Sequence, residues 1–137
     1  MKDIISLKYS ICFVLFLTAF TSLVSCRRVY YYDGKSEILS TKIDNTLNDS
    51  VLLYGKVFDA RDNKTPSINA RVWVNELTEE TYADNSGAYS LKLPTGKYTV
   101  NCQEYYGSPE FIETRNNVLL LPNEKVELNF YLGGRDE

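Results

Sequence analysis

The sequence predicts an all-β protein built as an antiparallel sandwich of about seven strands, and two observations carry that prediction. Between Val51 and Leu132 the apolar residues recur with period two and nowhere with the 3.6-residue period of a helix. Turn chemistry interrupts the alternation at short intervals, most sharply at Asn85-Ser86-Gly87 and Pro94-Thr95-Gly96. Gly reaches positive φ without steric cost, Pro fixes φ near −65°, and Asn or Asp bonds its own backbone two residues on. Short alternating runs between such turns describe half-buried strands of an antiparallel sheet.

The 137-residue chain opens with Lys2 and Lys8 and an apolar run from Tyr9 to Phe20, broken only by Ser10 and Thr18. A basic flank, about a dozen apolar residues and small residues after them describe a secretory signal peptide over 1–25. A single-pass anchor fits less well, because a span needs about 18 apolar residues or more. Leu23-Val24-Ser25-Cys26 resembles the lipobox of bacterial lipoproteins, where a thiol accepts the acyl chain and small neighbours admit the peptidase. The resemblance implies cleavage before Cys26 and lipidation of Cys26 with palmitate-like chains. It also implies a protein tied to the cell outer membrane. Several acyl chains hold a protein stably where one holds it marginally. Cys12 then leaves with the signal peptide and Cys26 is acylated, so Cys102 stands alone and no internal disulfide can form.

Residues 26–50 are polar without a sustained period, and are expected to be a flexible tether between membrane and domain. Arg27 and Arg28 suit anionic head groups, and Tyr30-Tyr31-Tyr32 suit the membrane interface; the plain alternative is a linker with no such contacts. Some surface-exported lipoproteins carry an acidic run directly after the Cys. Arg27-Arg28-Val29 stand there instead, which favours the periplasmic side.

The domain is expected over 51–132, with a short tail at 133–137. Val51 to Asp59 reads as the first strand, with Val51, Leu53 and Val57 facing one way and Lys56 and Phe58 the other. Arg61 to Pro66 is a turn by composition. Ile68, Ala70, Val72 and Val74 then alternate with Asn69, Arg71, Trp73 and Asn75, the cleanest such pattern in the chain. Glu79 to Asp84 is a more polar strand, and Ala88 to Leu93 another. Tyr98, Val100 and Cys102 are inward positions of the next. Tyr105 to Asn117 reads as irregular, Val118 to Leu121 as a compact apolar run, and Val126, Leu128, Phe130 and Leu132 as the last strand.

These residues together resemble the carboxypeptidase regulatory-like domain, of the transthyretin-like (prealbumin-like) sandwich group. The matches are Gly55 and Val57; Ala70 and Val72; Asp84, Gly87 and Tyr89; and Leu93, Pro94, Gly96 and Tyr98. Pro66 and Ile68 depart from the pattern, with Ser67 as one residue too many between them. For fold the resemblance is specific. For function it implies only a non-catalytic accessory module.

Composition narrows the chemistry. The chain has no His, which removes imidazole bases, His-based triads and imidazole metal sites. Transthyretin-like hydrolases of the purine pathway depend on His, so the Tyr131-Leu132-Gly133-Gly134-Arg135 ending is only an echo of theirs. With 15 basic and 18 acidic residues, nothing suggests nucleic acid. An internal isopeptide bond between Lys56 and Asn129 is disfavoured, because strand parity turns both outward and Cys102 holds the place of the required acid. Asp59, Asp62 and Asn63 could offer oxygens to Ca²⁺ but read more simply as turn formers. Cys102 reads as a small buried hydrophobe.

Aromatic residues make up 13% of the chain, more than one small core absorbs, and they are the remaining lead. Parity points Trp73, Phe58 and Tyr131 away from the core, and Tyr82, Tyr105 and Tyr106 lie on or beside strands. Gathered on one face, such rings would stack on carbohydrate or bury in a protein partner; otherwise they cover a second face under the loop from Tyr105 to Asn117. The expectation is therefore a non-enzymatic, lipid-anchored envelope module with no cofactor or metal. It would bind membrane lipid through Cys26 and an envelope protein partner, with carbohydrate binding by the exposed rings as the alternative.

Overall fold

The computed structural model describes residues 28–136, so the expected signal peptide and Cys26 lie outside the described residues. Ten strands appear in chain order: β1 (Tyr30–Tyr32), β2 (Lys35–Ile43), β3 (Val51–Asp59), β4 (Arg71–Val74), β5 (Glu80–Tyr82), β6 (Ala88–Leu93), β7 (Gly96–Gln103), β8 (Glu113–Leu120), β9 (Glu124–Leu132) and β10 (Gly134–Asp136). Two single 3₁₀ turns, Asn45–Leu47 and Pro109–Phe111, are the only helical pieces among the described residues. The described residues are all-β.

Sheet I has the order β2-β9-β3-β6 and sheet II the order β5-β4-β7-β8, while β1 and β10 form a separate antiparallel pair. One cluster of buried side chains joins the two larger sheets: Val51, Leu53, Val57, Leu91, Leu128 and Phe130 from sheet I meet Val72, Val74, Tyr98, Val100, Cys102 and Leu120 from sheet II. Two sheets sharing one core is consistent with a β-sandwich. Each of these residues sits at alternate positions of its strand, which is the period-two pattern made physical.

Five expectations change. The tether over 26–50 is the largest: Lys35–Ile43 is a full strand, in register with β9 from Lys35↔Tyr131 to Ile43↔Glu124. Its side chains are mostly exposed, so main-chain bonds to β9 hold it and its sequence shows no hydrophobic period. The tail over 133–137 is likewise structured as far as Asp136, because Gly134–Asp136 pairs with Tyr30–Tyr32. The compact unit thus spans Tyr30–Asp136 and not 51–132.

The expected all-antiparallel pairing also changes, since β3 and β9 run parallel at the centre of sheet I. Ile68 is exposed, because Asn69 takes φ 59° and breaks the alternation before β4 begins. Finally, the segment Tyr105 to Asn117 is irregular only in its first part. Strand β8 starts at Glu113, and a register shift opposite Tyr98/Val100 accommodates Asn117 at φ 57° as an extra residue.

The middle of the β3–β9 pair is tight. A Cβ on Gly55 would lie 1.9 Å from the Leu128 carbonyl oxygen. The parallel ladder skips Gly55 and Lys56, and there the Asn129 side chain substitutes for it: Oδ1 accepts from the Lys56 N–H at 2.8 Å. Leu128 O in turn accepts the buried Tyr89 hydroxyl at 2.5 Å. Asn129 is therefore buried although parity places it on the outer side of β9. At the other glycine that conformation demands, Gly87 takes φ +76° and closes the Asp84 turn by donating N–H to Asp84 O.

Candidate functional site

Trp73 and Tyr82 lie on the outer face of sheet II. The register Arg71↔Tyr82 and Trp73↔Glu80 puts four side chains on that face, and Arg71↔Gln103 and Trp73↔Asn101 extend it across β7. The Arg71 guanidinium stacks 4.6 Å from the Trp73 ring. It also donates from Nε to Glu80 Oε2 at 2.6 Å, and Glu80 Oε1 accepts the Tyr82 hydroxyl at 3.3 Å. Beside them, Asn101 donates from Nδ2 to Asn75 Oδ1 at 2.7 Å and accepts from Thr114 Oγ1 at 2.8 Å. The result is a half-exposed ring held in one orientation by an arginine, flanked by amides and a carboxylate. Such a face offers both stacking area and directional hydrogen bonds.

Phe58 and Tyr131 are elsewhere. They stack on each other at 5.5 Å on the outer face of sheet I, where Lys35 lies 4.7 Å from the Tyr131 ring. The four expected binding residues thus form two separate pairs on different sheets. Sequence parity gives the outward direction of Trp73, Phe58 and Tyr131 but not the sheet each belongs to. Arg71 is the residue that sequence reasoning missed, although its place two before Trp73 on the same strand face would have revealed it.

A second feature lies where β3, β7 and β9 end and β1 and β10 pair. A cleft of about 460 Å³ opens there, lined by Tyr32, Arg61, Glu104, Tyr106, Phe111 and Arg135 among others. Arg61 is held by Asp59 at 2.6 Å and Asp136 at 2.8 Å, and its guanidinium lies 5.5 Å from the Tyr32 ring. Burial, with Asp59 adding to it, raises the Tyr32 phenol above its ordinary pKa. Burial likewise raises Glu113, which is half-buried on β8. Next to this cleft, the buried Ser67 Oγ has no hydrogen-bond partner.

The remaining candidate groups are committed to structure. Cys102 is fully buried, and burial pushes its thiol pKa well up, away from thiolate character. Asp62 accepts from the Lys64 and Thr65 amides and from the Thr65 hydroxyl, which lowers its pKa to about 2. Asn63 takes φ 56° in the same turn, and Asp59 is engaged by Arg61. Among the described residues, no group of three or more Cys, Asp or Glu side chains is arranged to hold a metal ion. Comparison with protein-family models gives no match for this chain, and neither does a search of the curated proteins.

Proposed function

We propose that this chain is a non-enzymatic lipoprotein of the bacterial cell envelope, a β-sandwich of the carboxypeptidase regulatory-like kind held at the outer membrane by acylated Cys26. Its role is binding or accessory, within an envelope protein complex. The observation that carries the reading is Leu23-Val24-Ser25-Cys26 at the end of a basic-then-apolar leader. The missing His supports the non-enzymatic part. For the fold, support comes from the motif residues in structural roles: Gly87 turns with positive φ, Tyr89 bonds across to Leu128, and the Tyr98 hydroxyl closes its own turn on Pro94 O at 2.8 Å. Metabolic labelling with palmitate tests the anchor. Label entering the parent but not a Cys26→Ala variant is the expected result, and equal labelling of both refutes it.

Carbohydrate binding is the second reading, and one observation favours it. Trp73 is oriented by Arg71 on a face that also presents Glu80 and Tyr82. Stacking on a pyranose ring needs this combination of a flat aromatic and nearby donors and acceptors. A glycan array should then return a binder whose affinity falls about five- to tenfold in Trp73→Ala, since a stacked ring contributes roughly 1–1.5 kcal/mol. An array with no binder, or affinity indifferent to Trp73, removes this reading and leaves the protein-partner one.

A further inference from the structure

The end of the domain that carries β1 differs from the rest of the surface in its rings. Tyr30 and Tyr31 on β1 are exposed, as are Tyr105, Tyr106 and Ile112 in the connection between β7 and β8. Tyr106 is 92% exposed, which no packing role explains. These side chains are neighbours. Tyr31 lies 6.4 Å from Phe111, Tyr105 meets Tyr106 edge-on at 4.4 Å, and Tyr106 and Phe111 line the same cleft. The opposite end, where Pro94 and Thr95 join β6 to β7, carries no aromatic residue in its turn.

Covalent geometry adds the second observation. Strand β1 begins at Tyr30, only four residues after Cys26. Four residues reach at most about 14 Å even when fully extended. An acylated Cys26 therefore brings this end, and no other, to the bilayer surface. Tyrosine rings, apolar in body and polar at the tip, are favoured at the level of the head groups. Charge then selects the lipid. Glu104, Glu110 and Glu113 rim the rings together with Arg135 and the exposed Arg28 just before β1, while Arg61 is already engaged by Asp59 and Asp136. Such a rim of mixed sign has no strong attraction to an anionic surface and matches the paired phosphate and ammonium groups of zwitterionic head groups.

We propose that this end is a membrane-docking face, which seats Tyr30, Tyr31, Tyr105 and Tyr106 among the head groups of a zwitterionic bilayer. The inference rests on the reading that Cys26 is acylated. Docked in this way, the domain stands with β1 on the membrane and both sheets rising from it. The expected tether would have let the domain tumble; direct docking fixes which surfaces face away from the membrane.

The test uses the full-length protein processed in cells, which removes Cys12, and reconstituted into vesicles. A spin label is placed at Ser108→Cys, beside the rings, or at Thr95→Cys, in the far turn; Cys102 is fully buried and stays unlabelled. Accessibility to oxygen and to a water-soluble nickel reagent is read by electron paramagnetic resonance. In vesicles of phosphatidylethanolamine and phosphatidylcholine, position 108 should lose most of its nickel accessibility while position 95 keeps it. Replacing Tyr105 and Tyr106 by Ser should restore nickel access at 108 with vesicle binding retained. Adding phosphatidylglycerol to the vesicles of the parent protein should not deepen the protection at 108. Equal nickel access at 108 and 95, in protein still bound to vesicles, overturns the docking face and leaves the anchor standing. Greater protection of 108 by phosphatidylglycerol overturns the choice of lipid. An intact mass without acyl chains on Cys26 overturns the anchor, and the docking face with it.

Discussion

Gly55→Ala should be among the most damaging single-methyl substitutions in the domain. The added Cβ would lie 1.9 Å from Leu128 O and 2.7 Å from Leu128 C, both backbone atoms of the neighbouring central strand. Real Cβ contacts do not fall below 3.0 Å, so β3 and β9 must separate by roughly 1 Å. That movement strains two bonds at once, Lys56 N–H to Asn129 Oδ1 at 2.8 Å and Tyr89 Oη to Leu128 O at 2.5 Å. Overpacking costs about 1–3 kcal/mol and each lost buried hydrogen bond about 1 kcal/mol more, giving about 4 kcal/mol. A domain of this size has only about 5–15 kcal/mol in total. Urea unfolding followed by the fluorescence of Trp73, the single Trp, measures the loss directly. With a slope of about 1.5 kcal/mol per M, the midpoint should fall by about 2–3 M. Asn129→Ala is the companion: it leaves the Lys56 amide unpaired without forcing the strands apart, and should cost about 1–3 kcal/mol. A Gly55→Ala midpoint within about 0.3 M of the parent would refute the reasoning. So would a smaller loss than that of Asn129→Ala.

Three further outcomes follow from the same geometry. Tyr89→Phe removes only the donor to Leu128 O and should lower stability by about 1 kcal/mol, read from the same urea curves. Asp62 has a folded pKa of about 2 against an ordinary 3.8, so its contribution is complete above about pH 4 and is lost as pH falls toward 2. Thermal unfolding between pH 5 and 2 should therefore show a shallower acid-side decline in Asp62→Asn, and an unchanged slope would contradict the assignment. Cys102 should resist maleimide at pH 8 in native protein and react fully in denaturant, as read by peptide mass spectrometry; rapid native labelling would show that its burial is wrong.

What the sequence disclosed about this fold follows from how each strand is held. Strands β3, β6, β7 and β9 pack one face on the core, so Leu53, Leu91, Val100 and Leu128 print a period of two that can be read directly. Strand β2 lies at an edge and is secured by its main-chain ladder to β9, with Lys35, Ser36, Thr41 and Lys42 offering no apolar rhythm. Main-chain bonding leaves no mark on side-chain identity, so such a strand reads as a tether. The first half of β8 is hidden in the same way, with Thr114, Arg115 and Asn116 preceding the apolar Val118. Asn69, at positive φ, defeated parity for Ile68, because one left-handed residue turns every side chain before it to the other face. The exposed direction of Trp73 was legible; its partnership with Arg71 was one step further along the same alternation. That Phe58 and Tyr131 belong to the other sheet depends on pairing across some 70 residues, which no local pattern records.

The account turns on a domain that begins at Tyr30, directly beside the proposed lipidation site. Hydrogen–deuterium exchange over residues 30–43 tests this most directly. Alternate amides of Lys35–Ile43, those bonded to β9, should exchange as slowly as amides of β9 itself. Exchange of the whole segment at the rate of a free peptide would restore the tether, and with it a domain that hangs from the membrane without resting on it.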